Sequence, residues 1–266
     1  MEINEILGYV ASVIAGIIMG LIGGGGSILT VPILVYLLGF NPIVGTAYSL
    51  FVVGATSTVG AFQSLKQGLV NLKSAITFAI PSIFGVYLTR RYLVPILPEN
   101  MFTIGSFTVT SGIFIMIIFA IVMLMASYSM ISDKKELLDD THKEVDFNTT
   151  IVLILGLLTG IISGFVGAGG GFLNIPVLVL FVKLPMKKAI GTSLFIISIK
   201  SLIGFLGDLK TIDIDWSFLL SFTALSIVGI ILGLYFSKFI DGKKLKKGFG
   251  YFTLIMGGYI IWKELF

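Results

Sequence analysis

The sequence predicts an all-α fold, a polytopic transmembrane helical bundle of two inverted repeats, each with a Gly-rich broken helical hairpin. Three observations predict it. The chain of 266 residues is 56% hydrophobic and only 12% charged, with a mean hydropathy of +1.05, whereas soluble domains carry about 25% charged residues. The two halves also repeat: sliding the sequence by 144 positions pairs Gly16 with Gly160, Gly20 with Gly164, Pro32 with Pro176, Ser49 with Ser193, Lys66 with Lys210 and Gly85 with Gly229, without a gap. Matched Gly, Pro, Ser and Lys at one offset do not follow from apolar composition. Finally, each half carries a glycine run between apolar stretches, Gly23 to Gly26 in the first and Gly167 to Gly171, interrupted by Ala168, in the second.

The elements follow from hydropathy in chain order. The first repeat, residues 1–131, reads as five apolar segments at 4–22, 28–39, 43–65, 71–91 and 101–130. The second, residues 149–266, reads as five more at 148–166, 172–183, 187–207, 214–238 and 245–264. Residues 132–148, rich in Asp, Glu and Lys and holding the single His142, form a solvated linker between them. The second segment of each repeat covers only 12 residues, roughly 18 Å of helix against a hydrocarbon core of about 30 Å. Paired with the segment before it, each forms a bent hairpin whose glycine tip lies inside the bilayer. The N-terminus is acidic, with Glu2 and Glu5, and no small-residue cleavage site follows, so the first helix is read as retained.

Lysines and arginines orient the segments. If each glycine-tipped pair begins and ends on one face, the repeats are inverted, and one face carries 13 basic residues against Arg90, Arg91, Lys210 and Lys263 on the other, with Lys200 left inside the membrane. If each pair is one broken span, the repeats are parallel and the bias drops to 10 against 7. The inverted arrangement is preferred, with both termini outside and the linker cytoplasmic. Inverted repeats with broken helices meeting near the midplane build many secondary transporters, and the two tips are expected to approach one another.

Contiguous glycines are costly in a helix, about 1 kcal/mol each relative to alanine. At membrane depth the backbone groups they free are tolerated only where they are buried in protein or line a cavity. A glycine turn leading into a helix presents free N–H groups at the positive end of a dipole, open to direct approach by an anion. The candidate substrate-binding residues are therefore Gly24, Gly25, Gly26 and Ser27 with Thr30 in the first tip, and Gly169, Gly170 and Gly171 with Asn174 in the second. Close helix packing is the competing explanation for such small residues. The third segment of each repeat adds hydroxyls, Ser49 and Ser57 in one and Thr192, Ser193, Ser198 and Ser201 in the other, which could serve an anion or bond back to their own helix; Ser49 and Ser193 are favoured because they recur at the repeat offset. Lys200 is the one charge read as well inside an apolar segment, and such residues usually face a cavity.

Other chemistries are disfavoured. No Gly-Lys-Ser/Thr follows either glycine run, so a nucleotide-binding loop is not read, and no His-Glu zinc pair, Gly-x-Ser-x-Gly elbow or acidic dyad lies in the bilayer. The chain has no cysteine, hence no thiolate metal site or disulfide framework. No catalytic residue, metal or cofactor is expected, and the net charge of +4 reflects loop lysines, with no nucleic-acid partner implied. Asp208, Asp213 and Asp215 are placed in an outer loop, so no carboxylate proton relay is visible. Potential-driven movement is simpler, each expelled negative charge gaining about 2.3 kcal/mol per 100 mV when the inside is negative. An anion transporter working by alternating access and favouring export is the reading; a channel, an uptake permease and an assembly protein are the rivals.

At the glycine runs with their following Pro32 and Pro176, and at Ala189 to Leu194, the chain resembles the sulfite exporter TauE/SafE family, also called the toluene sulfonate uptake permease family. The resemblance covers nearly the whole chain and implies a multi-pass transporter of the bacterial or archaeal cytoplasmic membrane. It implies a small sulfur-containing anion, such as sulfite or a sulfonate, as substrate. The first repeat departs from the pattern, with Tyr48 before Ser49 where the second has Thr192 before Ser193, and this raises the question whether Tyr48 narrows the site.

Overall fold

A computed structural model describes residues 3–104, 107–131, 148–237, 239 and 242–265. The expected linker at 132–148, with His142, lies outside the described residues except for Asn148. The helices are α1 (Ile3–Ile22), α2 (Gly26–Leu37), α3 (Pro42–Lys66), α4 (Leu72–Ile96), α5 (Ser111–Ile131), α6 (Thr149–Val166), α7 (Gly171–Leu180), α8 (Met186–Leu206), α9 (Trp216–Phe236) and α10 (Gly242–Leu265). Among the described residues seven are long and apolar enough to cross a membrane, while α2 and α7 are short. The outward faces stay apolar, with Ile80, Phe84, Ile154, Ile231 and Ile255 each more than half exposed. Such a continuous apolar exterior is what lipid requires, and a water-soluble monomer rarely shows it. The chain is a multi-pass membrane protein.

Four helix starts are fixed by side-chain caps at the polar ends of the spans. Asn41 accepts from the Ile43 N–H ahead of Pro42, Asn71 from Ser74, Asn148 from Thr150 and Ile151, and Asp215 from Phe218. Each cap satisfies a donor that would otherwise be orphaned at the start of a helix.

Glycine stripes set the helix pairing. A Cβ on Gly16 would lie 3.0 Å from the Gly229 Cα, and one on Gly233 would lie 3.0 Å from the Gly20 Cα, so α1 and α9 run parallel at backbone contact. In the same way Gly156 meets Phe78 and Pro81, Gly160 meets Ser82 and Gly164 meets Thr89, so α6 runs parallel to α4. By contrast α3 and α8 cross antiparallel, Gly54 against Leu202 and Gly60 against Leu194. The pair α5 and α10 is antiparallel too, with Gly250 on Ile131 and Gly257 on Leu124. Small residues allow this approach, and dispersion at short range then holds the helices where lipid offers no hydrophobic driving force.

The two short helices enter from opposite ends. Tyr9 in α1 and Phe40 after α2 both pack on Phe218 at the start of α9, with ring centroids 6.0 and 5.0 Å apart. Val152 in α6 and Val182 and Leu184 after α7 instead cluster with Ala75 at the start of α4 and Ala189 at the start of α8.

Two local readings are corrected. The expected apolar segment at 101–130 begins with a two-stranded antiparallel hairpin, β1 (Asn100–Ile104) and β2 (Phe107–Thr110), which pairs Phe102 with Val109 and Thr103 with Thr108. Thr, Phe, Val and Ile on both strands favour this extended pairing, and α5 starts only at Ser111. The segment expected to stop at residue 91 continues through a π-helical turn, Thr89–Leu93, to Ile96.

The backbone contact of α1 with α9 makes a direct prediction. Gly229→Val would place a side chain on the Val13 carbonyl, an overpacking that costs about 1–3 kcal/mol. Gly258→Ala, where nothing lies within 4 Å, serves as control. Thermal unfolding of the detergent-solubilised protein should show a lower midpoint for the first and an unchanged one for the second.

Candidate functional site

The chain reverses twice inside the bundle, by different means. In the first reversal Gly23 takes φ +78°, which an L side chain rarely adopts, and Gly23–Leu29 then winds as a 3-10 helix into α2. The Ser27 hydroxyl donates to the Gly24 carbonyl at 2.7 Å, tightening the turn, and Gly26 folds back onto the Ile18 and Met19 backbone. In the second, Gly167, Gly169 and Gly170 all have φ between 66° and 71°. Helix α7 begins at Gly171 with no side-chain cap, and its first backbone bonds run from Leu173 and Asn174 back to the Gly170 carbonyl. The N–H groups of Gly171 and Phe172 precede those bonds and sit at the positive end of the helix.

The reversals meet. A Cβ on Gly171 would fall on the Gly24 carbonyl, and one on Gly24 would lie 2.9 Å from the Gly171 Cα. Helices α3 and α8 flank this contact with matching stripes. On α8, Ile190 touches Gly23, and Ser193 and Ile197 touch Gly24; on α3, Thr46 touches Gly167 and Val53 touches Gly169. Ser49 lies between Thr46 and Val53 on that stripe, at helical spacings of three and four.

Polar groups converge on the second reversal. Lys200 is fully buried, its Nζ donates to Asn174 Oδ1 at 3.3 Å, and a Cβ on Gly170 would lie 2.9 Å from that Nζ and 3.2 Å from the Ser163 hydroxyl. A Cβ on Gly169 would lie 3.1 Å from the Ser201 hydroxyl. Among the described residues no carboxylate pairs with Lys200, and the hydroxyls of Ser49, Thr56, Ser163, Ser193 and Ser201 and the amide nitrogen of Asn174 are buried without a partner. Buried polar atoms are normally bonded, and an unpaired buried cation is the most costly case. Of these unspent donors, Asn174, Ser163 and Ser201 lie with the Lys200 ammonium around Gly169 and Gly170, a cradle whose chemistry suits an oxyanion.

The predicted residues divide on these contacts. Gly24, Gly169, Gly170, Gly171, Asn174, Ser193 and Lys200 are brought together, with Ser49 alongside. Ser27 spends its proton inside the first turn, Gly26 packs on α1, and Thr192 accepts the Asn71 N–H at 3.0 Å, tying the α3–α4 connection to α8. Gly25 lies within the 3-10 turn and Thr30 is buried at the start of the helical stretch after it. Tyr48 does not face the reversals, since its hydroxyl contacts the Asp215 N–H at 2.7 Å and its ring packs on Phe40 and Phe218.

Three residues were missed. Ser163 lies one turn before Gly167, where the small pair Ser163 and Gly164 could have drawn notice. Arg90, expected at the surface, is fully buried in the π-helical turn, and its Nε lies 2.9 Å from Asp208 Oδ2. Lys200 is therefore not the only charge inside the bundle. Asp208, expected in an outer loop, is 1% exposed; burial pushes its carboxyl up to about 6, against the opposing pull of Arg90. The signal was the apolar sequence on both sides of Arg90 and Arg91, from Val86 to Leu88 and Leu93 to Leu97.

Known proteins bear on this arrangement. The chain is 29% identical to a probable membrane transporter protein of Xylella fastidiosa over 94% of its own length and 92% of the relative's. It is 26% identical to the probable membrane transporter protein YunE of Bacillus subtilis over 97% of each chain. It is 29% identical to the probable membrane transporter protein MJ0441 of Methanocaldococcus jannaschii over 74% of its length and 69% of the relative's. No solved structure matches. The profile of the sulfite exporter TauE/SafE family matches residues 9–260, and with that match, over a bundle of apolar helices closed around two glycine reversals, the chain belongs to the TauE/SafE family of membrane proteins.

Proposed function

We propose that this membrane transporter carries a small sulfur-containing oxyanion, of the sulfite or sulfonate class, by alternating access, with export the favoured direction. The observation that carries the reading is the unpaired, fully buried Lys200 beside Asn174, Gly170 and a set of unspent hydroxyls at the meeting point of the two reversals. An anion there would neutralise the ammonium, satisfy the hydroxyls and receive the N–H groups at the start of α7. With the reversals in backbone contact, the cradle is closed in this arrangement, and loading requires one hairpin to move relative to the other. The two halves are read as inverted repeats, residues 1–131 and 149–266, joined by a cytoplasmic linker. The antiparallel crossing of α3 with α8 and the entry of the hairpins from opposite ends support that reading. The family name supports sulfite as the first anion to test.

Flux of radiolabelled sulfite, sulfate and an alkyl sulfonate from proteoliposomes tests this. Wild-type protein should release at least one of the sulfur anions, faster under an inside-negative diffusion potential. Lys200→Ala should lower that flux about tenfold, the equivalent of losing roughly 1.4 kcal/mol from a contact to a charged group; undiminished flux would remove Lys200 from the site. Large unitary currents in planar bilayers would replace the transporter by a channel.

Gly171→Val separates the backbone contact from the ammonium. Its side chain would strike the Gly24 carbonyl, so flux should vanish while membrane insertion, read by protease accessibility of the loops, is retained. Normal flux in this variant would contradict a working role for the contact.

A further inference from the structure

The charges at one end of the bundle are not used by the cradle around Lys200, yet they connect to it. Arg90 sits in the π-helical turn of α4, a form of backbone that recurs at functional sites. Its side chain is wholly buried: Nε faces Asp208 at 2.9 Å, Nη1 donates to the Thr46 hydroxyl at 3.2 Å, and Nη2 has no partner among the described residues. Thr46 in turn packs against Gly167, and Thr89 against Gly164, so the guanidinium stands behind the same reversal that borders Lys200. From Lys200 to Asp208 the chain advances by eight positions, about 12 Å at helical rise. Asp208 lies at the rim, and beyond it residues 209–211 are exposed.

Two features separate this pair from a simple brace. A guanidinium is a bidentate fork for oxyanions, and here one arm of the fork is free inside protein. Moreover, the pair has no counterpart in the other half: at the offset of 144 positions Arg90 corresponds to Leu234, Asp208 to Ser64 and Thr46 to Ile190. The first half thus places a buried cation where the equivalent position of the second has an apolar side chain.

We propose that Arg90 is a second oxyanion-binding residue, on the path between the Lys200 cradle and the end of the bundle that carries Asp208, and that its guanidinium exchanges the Asp208 carboxylate for the transported anion. The proposal rests on the anion-transport reading above. With Asp208 engaged the pair is neutral and closes that end; with the anion engaged, Asp208 turns toward the water at the rim. Thr46 holds the guanidinium in place during the exchange, because its hydroxyl is anchored to the Pro42 and Ile43 carbonyls at 2.8 and 3.0 Å.

The test is anion binding, read as the sulfite-, sulfate- or methanesulfonate-dependent rise in the unfolding temperature of the solubilised full-length protein. Asp208→Asn removes the competing carboxylate and should tighten the apparent affinity for the responding anion about three- to tenfold. Arg90→Gln should weaken it about tenfold, and Arg90→Lys should recover part of the loss. Because Arg90→Gln leaves Asp208 buried alone, the double variant Arg90→Gln with Asp208→Asn provides a neutral pair of similar shape; it should fold and bind as weakly as Arg90→Gln. A brace would behave differently: the anion affinity would stay unchanged or fall in Asp208→Asn, and the neutral double variant would bind as well as wild type. Either result overturns the exchange while leaving the Lys200 cradle intact. If wild-type protein responds to none of the three anions, the anion-transport reading falls and this proposal falls with it.

Discussion

Everything else in the bundle is arranged around a backbone-to-backbone contact between Gly24 and Gly171. A single Cβ on Gly171 would occupy the place of the Gly24 carbonyl, so the two reversals can close only because neither residue has a side chain at the contact. That contact joins a 3-10 turn from one half to a helix start from the other, deep in the protein. Backbone without helical partners is expensive in a membrane, and here it is enclosed by α3 and α8. The cost of the glycines is offset by the close approach they allow.

The frame that holds this contact is built by the same means. Gly16 and Gly20 on α1 interlock with Gly229 and Gly233 on α9, while Gly156, Gly160 and Gly164 on α6 interlock with Phe78, Ser82 and Thr89 of α4. Each pair joins a hairpin from one half to a full-length helix of the other. Each hairpin thus meets its partner helix along a glycine seam, backbone to backbone between α1 and α9 and against Pro81 and Thr89 between α6 and α4. Small residues are what let membrane helices approach this closely, and in the alternating-access reading these seams are where a hairpin would move against its partner.

Much of this was legible beforehand because it is written in local composition. The glycine runs, their interruption of apolar stretches and the fixed offset between the halves gave the short segments after each run, and those appear as α2 and α7. What stayed hidden depended on partners far apart in sequence. Asp208 is unremarkable as a loop residue until α4 brings Arg90 beneath it, and Ser163 joins Lys200 only through the left-handed turn at Gly170. The hairpin of β1 and β2 was lost for a different reason: its Val, Ile, Phe and Thr satisfy a hydropathy window as well as a helix does, and only strand pairing distinguishes them. The individual site residues were legible as types but not as contacts. Ser27 and Thr192 carry hydroxyls at the right depth, yet each spends its hydrogen-bonding capacity on the backbone.

Symmetry of the scaffold and asymmetry of its charges pull in different directions, and the second decides what the protein can do. The stripes Thr46, Ser49, Val53 and Ile190, Ser193, Ile197 occupy equivalent places against the two reversals. A scaffold so matched would treat both sides of a membrane alike. Lys200, however, stands opposite Thr56 in the repeat, and the second reversal has three left-handed glycines where the first has one. The positive potential beside the reversals thus sits in the second half, on α8 against the second hairpin, and in a low-dielectric interior a single ammonium outweighs several hydroxyl dipoles. On the anion-transport reading proposed above, the charge that holds the anion belongs to the second half, and access to either side then means a movement of α3 and the first hairpin away from it.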